Sequence, residues 1–260
     1  SCVPATDLET SGATLRAADL EPYWEKERIV ALAEMMNFPG VINGDPKMLA
    51  EIAATQNAGK TVGGHYASPD RGVPFHAYAA GGPADDHEGT CEADAIARMR
   101  QGMRSMIRLG SAWYDVESQI TAITEKGLDP RNMILCTDDC HSGTLVNEGH
   151  MNRVIRHAID CGCDPVIALQ MATINTASHF GLEREIGSLT PLSSKRRKRG
   201  VQGATTPRSM RSSRPVWMSS SDLLSAARTT GTTKLSPTET ATPTLASRQY
   251  RMFLPFTEAL

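Results

Sequence analysis

The stretch Ile134-Leu135-Cys136-Thr137-Asp138-Asp139 is a short apolar run that ends on two carboxylates. Three earlier runs end in the same way on acidic or histidine residues, namely on Glu34, on His65 and on Asp86-His87-Glu88. In a parallel (β/α) barrel, catalytic side chains come from the carboxyl ends of several different strands. The repeated pattern therefore predicts an α/β chain in which these polar strand ends meet at one site.

Four of these residues, Glu34, His65, His87 and Asp138, form a set of metal-compatible ligands. Histidine nitrogens and carboxylate oxygens bind borderline divalent metals, and a catalytic metal keeps one position open for water. Such a metal lowers the pKa of bound water, while a neighbouring carboxylate moves protons. The set predicts a hydrolytic metal site. The alternative is that these are unrelated polar residues at the ends of apolar runs.

The segments between the runs have helical periodicity. Asp45-Pro46 predicts the N-cap and first residue of a helix over 47–57. Strands that alternate with helices of about 10–15 residues indicate βαβ units and a parallel sheet. The further predicted helices are 17–26, 74–80, 92–104, 111–125, 152–161 and 165–180, and the predicted strands are 29–33, 61–65, a short one ending at 86, 103–108 and 133–138.

The composition limits the classes of protein to which the chain can belong. With 260 residues, 40% of them hydrophobic, it is long enough for one large domain. No apolar run approaches the roughly 20 residues of a membrane span, and the first residues lack a signal-peptide layout. The cysteines have no disulfide-framework spacing, which favours reduced thiols and a cytoplasmic location; they are Cys2, Cys91, Cys136, Cys140, Cys161 and Cys163.

The character of the chain changes near residue 190. Residues 191–260 contain 12 Lys and Arg against 3 Asp and Glu, together with 22 Ser and Thr. This composition buries too little apolar surface to offset the entropy of ordering, so a folded domain over 1–190 and a disordered tail over 191–260 are predicted. The basic run 195–199 lacks a folded nucleic-acid-reading domain around it, and no nucleic-acid partner is expected.

Residues 1 to about 190 contain a series of short motifs: SCVPAT at 1–6, ETSGA at 9–13, LAEMMNFPGV at 32–41, Gly64-His65, Asp86-His87-Glu88, LCTDD at 135–139, EGH at 148–150 and ATINTA at 172–177. Through these motifs the chain resembles the adenine deaminases of the amidohydrolase superfamily, continuously from residue 1 to about 190. Several of these motifs are specific to adenine deaminases rather than common to all amidohydrolases.

The resemblance implies a distorted TIM-type barrel with two metals, two Mn²⁺ or Fe²⁺ (or Zn²⁺), which hydrolyses the purine base adenine to hypoxanthine and ammonia. It implies that Glu34 bridges the metals and that His65 and His87 bind the second metal. Asp138 would be a ligand and proton shuttle, and Glu88 and Asp139 could protonate a ring nitrogen or the leaving amine. A homo-oligomer is also expected.

Two departures from the family qualify these expectations. The His-x-His pair of the first barrel strand occurs nowhere in the sequence, and Ser1-Cys2-Val3 resembles the end of the family's third strand. A truncated barrel with about the last five or six βα units is therefore expected, with a tail that a shifted reading frame would explain. The alternatives are another amidohydrolase acting on a cyclic C–N bond, or an inactive truncated product that lacks the first-strand ligands.

Overall fold

Parallel strands form the centre of the structure, a computed structural model that describes residues 3–6 and 8–190. β1 pairs with β2, and β3, β4 and β5 pair in that order, all in parallel. The Ala84 N–H donates to Val62 O at 2.8 Å, which places β3 next to β2. The strands therefore follow one another in chain order; they are β1 (Ala31–Met35), β2 (Thr61–Gly64), β3 (Asp85–Asp86), β4 (Arg104–Arg108) and β5 (Met133–Cys136).

Helices separate the strands, as the alternating pattern predicts. The described helices are α1 (Ala17–Leu20), α2 (Phe38–Asn43), α3 (Pro46–Asn57), α4 (Val73–Ala80), α5 (Glu92–Arg100), α6 (Val116–Thr124), α7 (Ser142–Asn147), α8 (Met151–Asp160), α9 (Pro165–Ala172) and α10 (Ile174–His179), with 3-10 turns at Glu21–Tyr23 and Pro130–Asn132. Each pair of successive strands is joined through at least one helix. The predicted α/β class with a parallel arrangement is confirmed.

Two clusters of buried apolar side chains form the core. One surrounds β4 and β5 and includes Ile107, Ile120 and Met133. The other surrounds β1 and β2 and includes Met48 and Phe75. The apolar residues of β5 are buried as a continuous run, as in a strand covered on both faces, whereas burial alternates along β4 from Arg104 to Ile107.

Some predicted boundaries of helices and strands are wrong. Glu34 lies inside β1, whose register with β2 is irregular between Leu32 and Met35. The helix predicted over 165–180 breaks at Thr173, where Asn175 Nδ2 donates to Pro130 O and Met133 O at 2.9 and 3.0 Å. Residues 111–115, predicted as helical, form a loop before α6. The helix α2 was not predicted because Pro39-Gly40 indicated a loop.

The remaining predictions concern the tail, the membrane and the thiols. Residues 191–260, predicted as a disordered tail, lie outside the described residues. Among the described helices, none has both the length and the apolar character required to cross a bilayer. Five cysteines fall in the described part, and all five are free thiols there: Cys91, Cys136, Cys140, Cys161 and Cys163.

Candidate metal centre

Glu34, His65 and His87, from three neighbouring strand ends, lie in mutual contact. Glu34 Oε2 is 2.7 Å from His65 Nδ1 and 3.1 Å from His87 Nε2. The two imidazole rings are 5.1 Å apart between centroids and inclined by 72°. One donor atom from each residue lies within 4.8 Å of the other two. The strand ends therefore bring three of the four predicted metal ligands into one group.

A second group of donors, formed by His87, Glu88 and Asp138, adjoins the first. Glu88 Oε1 lies 3.5 Å from His87 Nε2 and 3.7 Å from His65 Nδ1. Arg108 Nη1 donates to Asp138 Oδ2 at 2.7 Å and also to Glu88 Oε1. The fourth predicted ligand, Asp138, is therefore held beside the group of Glu34, His65 and His87 through one arginine.

Asp139, predicted as an acid, lies at the edge of this arrangement. It is exposed, and it belongs to neither of the two donor groups found among the described residues. Its backbone N–H donates to Asp138 Oδ1 at 2.8 Å. Asp138 itself has a φ of 55°, in the left-handed region that a non-glycine residue seldom adopts. The turn of Asp138 and Asp139 is therefore tightly constrained.

Buried polar groups hold the histidine segments in place. The Tyr78 hydroxyl accepts from the His65 N–H at 2.8 Å and donates to Met35 O at 3.0 Å, which ties the end of β1 to the end of β2. Asp86 Oδ1 accepts from the Tyr66 N–H at 2.7 Å and from the Glu88 N–H at 3.4 Å. These contacts fix the backbone immediately after each histidine, so the imidazoles are pre-positioned.

The contacts also set the protonation of the group. Hydrogen bonds from His65 and then His87 hold the pKa of the Glu34 carboxyl well below its usual range, against the opposing effect of burial. Burial alone would lower the pKa of His87, but its hydrogen bond and charge interaction with Glu34 outweigh burial and raise the pKa to about 9. Glu34 is therefore anionic and His87 cationic near neutral pH when no metal is bound.

This set of residues and motifs has counterparts in known proteins. A model of the amidohydrolase family matches residues 1–191. The chain belongs to the amidohydrolase family. Amidohydrolases are generally metal-dependent, and the family implies a TIM-type barrel, with which the parallel strands and intervening helices described above are compatible.

Individual relatives of this amidohydrolase are named adenine deaminase. A protein of Roseobacter denitrificans is 81% identical over 192 residues, and one of Ruegeria sp. (strain TM1040) is 78% identical over 192 residues. A more distant relative, from Rubrobacter xylanophilus, is 48% identical over 194 residues. These matches cover 74% of this chain but only 32% of each relative. The resemblance expected from the motifs is confirmed, and the chain spans about a third of the length of these curated relatives.

The donor set of this amidohydrolase fits a divalent metal. Donors about 2.1 Å from a tetrahedral metal lie roughly 3.4 Å from one another. The distances of 2.7 and 3.1 Å from Glu34 Oε2 to the two histidine nitrogens are of that order. One carboxylate and two imidazoles also match the preference of borderline metals such as Zn²⁺, Mn²⁺ and Fe²⁺. Glu34, His65 and His87 could therefore hold one metal ion.

The sequence reasoning missed Arg108, the last residue of β4. Its side chain is 1% exposed and contacts three carboxylates, because its Nε also donates to Asp115 Oδ2 at 2.8 Å. The guanidinium lies 4.4 Å from the ring centroid of Trp113. Burial opposes its charge, yet these carboxylates raise the pKa of Arg108. An arginine that ends a buried apolar strand is the sequence signal that could have identified it.

Proposed function

We propose that this chain forms part of the active site of an adenine deaminase, a metal-dependent hydrolase that converts adenine to hypoxanthine and ammonia. The observation that supports the proposal is the Glu34 carboxylate in contact with both His65 and His87, beside Asp138. The names of the relatives support the choice of adenine as substrate. Because the chain spans 32% of those relatives, the remaining ligands would lie in the other parts of such a protein.

In the proposed reaction, a water oxygen bonds to the purine C6 carbon and the C6–N bond to the exocyclic amine breaks. A bound divalent metal supplies the Lewis acidity that lowers the pKa of the attacking water. Glu34, His65 and His87 would hold the metal, and Asp138 would accept the proton that the water loses. Glu88 or Asp139 donates a proton to a ring nitrogen or to the leaving amine, which departs as ammonia.

Arg108 has a defined part in this proposal. It contacts Glu88 and Asp138 at once, so it keeps the proposed acid and the proposed proton acceptor at a fixed separation. Its positive charge also offsets the repulsion between two carboxylates at the same site. The side chain therefore organises the proton-transfer groups without itself exchanging a proton, since an arginine remains protonated in proteins.

We further propose that the strands belong to a TIM-type barrel, of which the chain supplies about the last five or six βα units. The domain then comprises residues 1–190, separate from residues 191–260. Two Mn²⁺ or Fe²⁺ ions, cytoplasmic purine metabolism and a homo-oligomeric state complete the proposal. The sequence contains no His-x-His pair, so Glu34 would be the only ligand that residues 1–190 contribute to the metal that such a pair binds.

The experiment that tests the proposal measures metal content and adenine turnover on the same sample, expressed with manganese. We expect Mn²⁺ binding that His87→Gln weakens by more than about tenfold, because a direct ligand is lost. The control His76→Gln changes an exposed histidine on α4 and should leave binding unchanged.

Turnover is followed as ammonia release, and Asp138→Asn should abolish it. Hydrolysis of another cyclic amidine such as cytosine, but not of adenine, would favour a different amidohydrolase activity. Metal binding without any turnover would favour a non-catalytic product. Equal Mn²⁺ affinity in His87→Gln and in the unsubstituted chain would contradict the assignment of the ligands.

A further inference from the structure

The loop between β4 and α6, residues 109–115, packs directly against the turn that contains Asp138. Gly110 makes the closest approach: a Cβ atom at this position would lie 2.4 Å from Asp139 O and 2.5 Å from Thr137 O. Such distances are far below van der Waals contact, so only glycine allows the two backbones to meet here. The loop and the turn therefore form one packed unit at the carboxyl ends of β4 and β5.

Ser111 joins this loop to three points of the following segment. Its backbone N–H donates to Asp139 O at 2.9 Å. Its hydroxyl accepts from the His141 N–H at 2.7 Å and donates to Thr144 Oγ1 at 2.8 Å. The Ser111 hydroxyl therefore accepts a hydrogen bond from the backbone just after the turn of Asp138 and Asp139. It also donates one to the side chain of Thr144, which lies at the start of α7.

The loop is itself fixed from its other side by α8. Arg153 Nη1 donates to Leu109 O at 3.2 Å and to Gly110 O at 3.0 Å, and Arg153 is anchored in turn by Glu148. The backbone carbonyls of the loop are thereby held while its serine contacts the turn. The loop is thus held by hydrogen bonds on the side facing α8 as well as on the side facing the turn.

A support of this kind is needed because Asp138 adopts a costly backbone conformation. Its φ of 55° lies in a region that costs a non-glycine residue on the order of 1–3 kcal/mol, and such residues persist only where the surroundings hold them. Ser111 and Gly110 contact the residues on both sides of Asp138. Arg108 and the Asp139 N–H then hold its two carboxylate oxygens.

We propose that Ser111 is a positioning residue, which fixes the turn of Asp138 and Asp139 and thereby the place of the Asp138 carboxylate in the metal centre. This inference rests on the proposed function for its chemical consequence, but its structural part can be tested separately. Ser111 touches no proposed ligand side chain; it acts through backbone contacts at Asp139 and His141.

The test compares Ser111→Ala, Ser111→Thr and the control Ser118→Ala in the full chain. Ser118 lies on α6, and its hydroxyl donates to Thr90 O at 2.8 Å and to Asp115 O at 3.1 Å, neither of which belongs to the turn of Asp138 and Asp139. One readout is amide hydrogen exchange of Asp139 and His141 by NMR, since the Asp139 N–H reports on the Asp138 carboxylate. The other readout is Mn²⁺ affinity.

We expect Ser111→Ala to accelerate exchange at both amides and to weaken Mn²⁺ binding roughly 10–100-fold, as loss of an outer partner of a metal ligand does. Ser111→Thr retains the hydroxyl and should recover most of both properties, whereas Ser118→Ala should change neither. If Ser111→Ala does not fold, Thr144→Val removes only the acceptor of the serine hydroxyl and should give the same effects in milder form.

Unchanged exchange and affinity in Ser111→Ala and Thr144→Val would overturn the inference. An equal loss of Mn²⁺ affinity and of exchange protection in Ser118→Ala would also overturn it, because the effect of Ser111→Ala would then reflect general stability. If the unsubstituted chain binds no Mn²⁺, the proposed function fails, but the exchange rates of Asp139 and His141 still decide whether Ser111 positions the turn.

Discussion

The contact between Glu34 and His87 is a charged pair held at half-buried positions. The two side chains approach to 3.1 Å, and each changes the protonation of the other: the pKa of Glu34 is lowered and the pKa of His87 is raised to about 9. A metal ion would have to replace the proton on His87, so binding should release protons and strengthen as the pH rises toward 9. The same pair gives the metal-free chain a characteristic dependence of stability on pH.

We predict that the metal-free chain loses stability between about pH 6.5 and pH 9. The pKa of His87 rises from 6.5 unfolded to about 9 folded, so its contribution is complete below pH 6.5 and is lost as the pH rises through 9. A pKa shift of this size corresponds to at most roughly 3 kcal/mol of unfolding free energy. The measured loss of stability should be smaller than this limit, because Glu34 is partly exposed to solvent and the interaction is screened. Urea unfolding at a series of pH values measures it.

His87→Gln should flatten this part of the profile, whereas His76→Gln should not. A profile without slope over this range in the unsubstituted chain, or the same slope in His87→Gln, would contradict the assignment of the shifted proton to His87.

At the scale of single elements, α3 shows how a short polar signal determines where a helix begins. Asp45 Oδ1 accepts from the backbone N–H groups of Lys47 and Met48 at 2.7 and 3.3 Å, and Pro46 occupies the first helical position. The helix then places Met48 and Ile52 against β1 and β2. The segment between β1 and β2 is thereby held against the sheet.

We predict that Asp45→Ala lowers the free energy of unfolding by about 1 kcal/mol, because two N–H groups at the helix start lose their acceptor. Asp45→Asn keeps a capping oxygen, so it should lower the free energy of unfolding by only a few tenths of a kcal/mol. Chemical denaturation followed by circular dichroism measures both variants, and an equal loss in the two would show that charge rather than capping is responsible.

Elements with a strong local signal could be predicted from the sequence. The Asp45-Pro46 pair and the apolar run at Met133–Cys136 gave α3 and β5 to within a residue or two. Elements decided by distant contacts could not be predicted in this way. The periodic helical segment is interrupted at Thr173, next to Asn175, whose side chain donates to Pro130 O and to Met133 O, both more than 40 residues away.

The same distinction applies to the site. Glu34, His65, His87, Glu88 and Asp138 were predicted as a group because each follows or ends an apolar run, and the structure does bring them together. Their roles as metal ligands and proton-transfer groups stay predictions. Arg108 was missed because its importance depends on three carboxylates from three different segments, and no spacing along the chain connects them.

At the scale of the whole described part, a buried pair of polar side chains, Asp85 and His179, lies where β2 adjoins β3. Asp85 receives a hydrogen bond from the Gly64 N–H at 2.9 Å, and its other oxygen lies 2.5 Å from His179 Nε2 at the end of α10. His179 O in turn accepts from the Thr61 hydroxyl at 3.1 Å. His179 therefore contacts both strands at the junction, and both side chains of the Asp85–His179 pair are 4% exposed.

We predict that His179→Ala lowers the free energy of unfolding by about 1–3 kcal/mol, because it leaves one oxygen of the buried Asp85 carboxyl without its hydrogen-bond partner. The loss should be concentrated at the junction, so hydrogen exchange followed by mass spectrometry should accelerate more in β1 and β2 than in β4 and β5. Thr61→Val removes one hydrogen bond only and serves as the milder comparison. Uniform acceleration over all the strands would mean that His179 does not couple the two clusters.

The chain order of the strands has a consequence for biosynthesis. Within each of the two sets of paired strands, every strand pairs with its neighbour in the chain, as Ala31 does with Thr61 and Ser105 with Met133. Pairings between consecutive strands require less loop closure than pairings across the whole chain, and the ribosome adds only about 5–20 residues per second. The sheet can therefore grow one strand at a time as the nascent polypeptide leaves the exit tunnel, with Glu34 and His65 already adjacent before the segment that contains Asp138 has been translated.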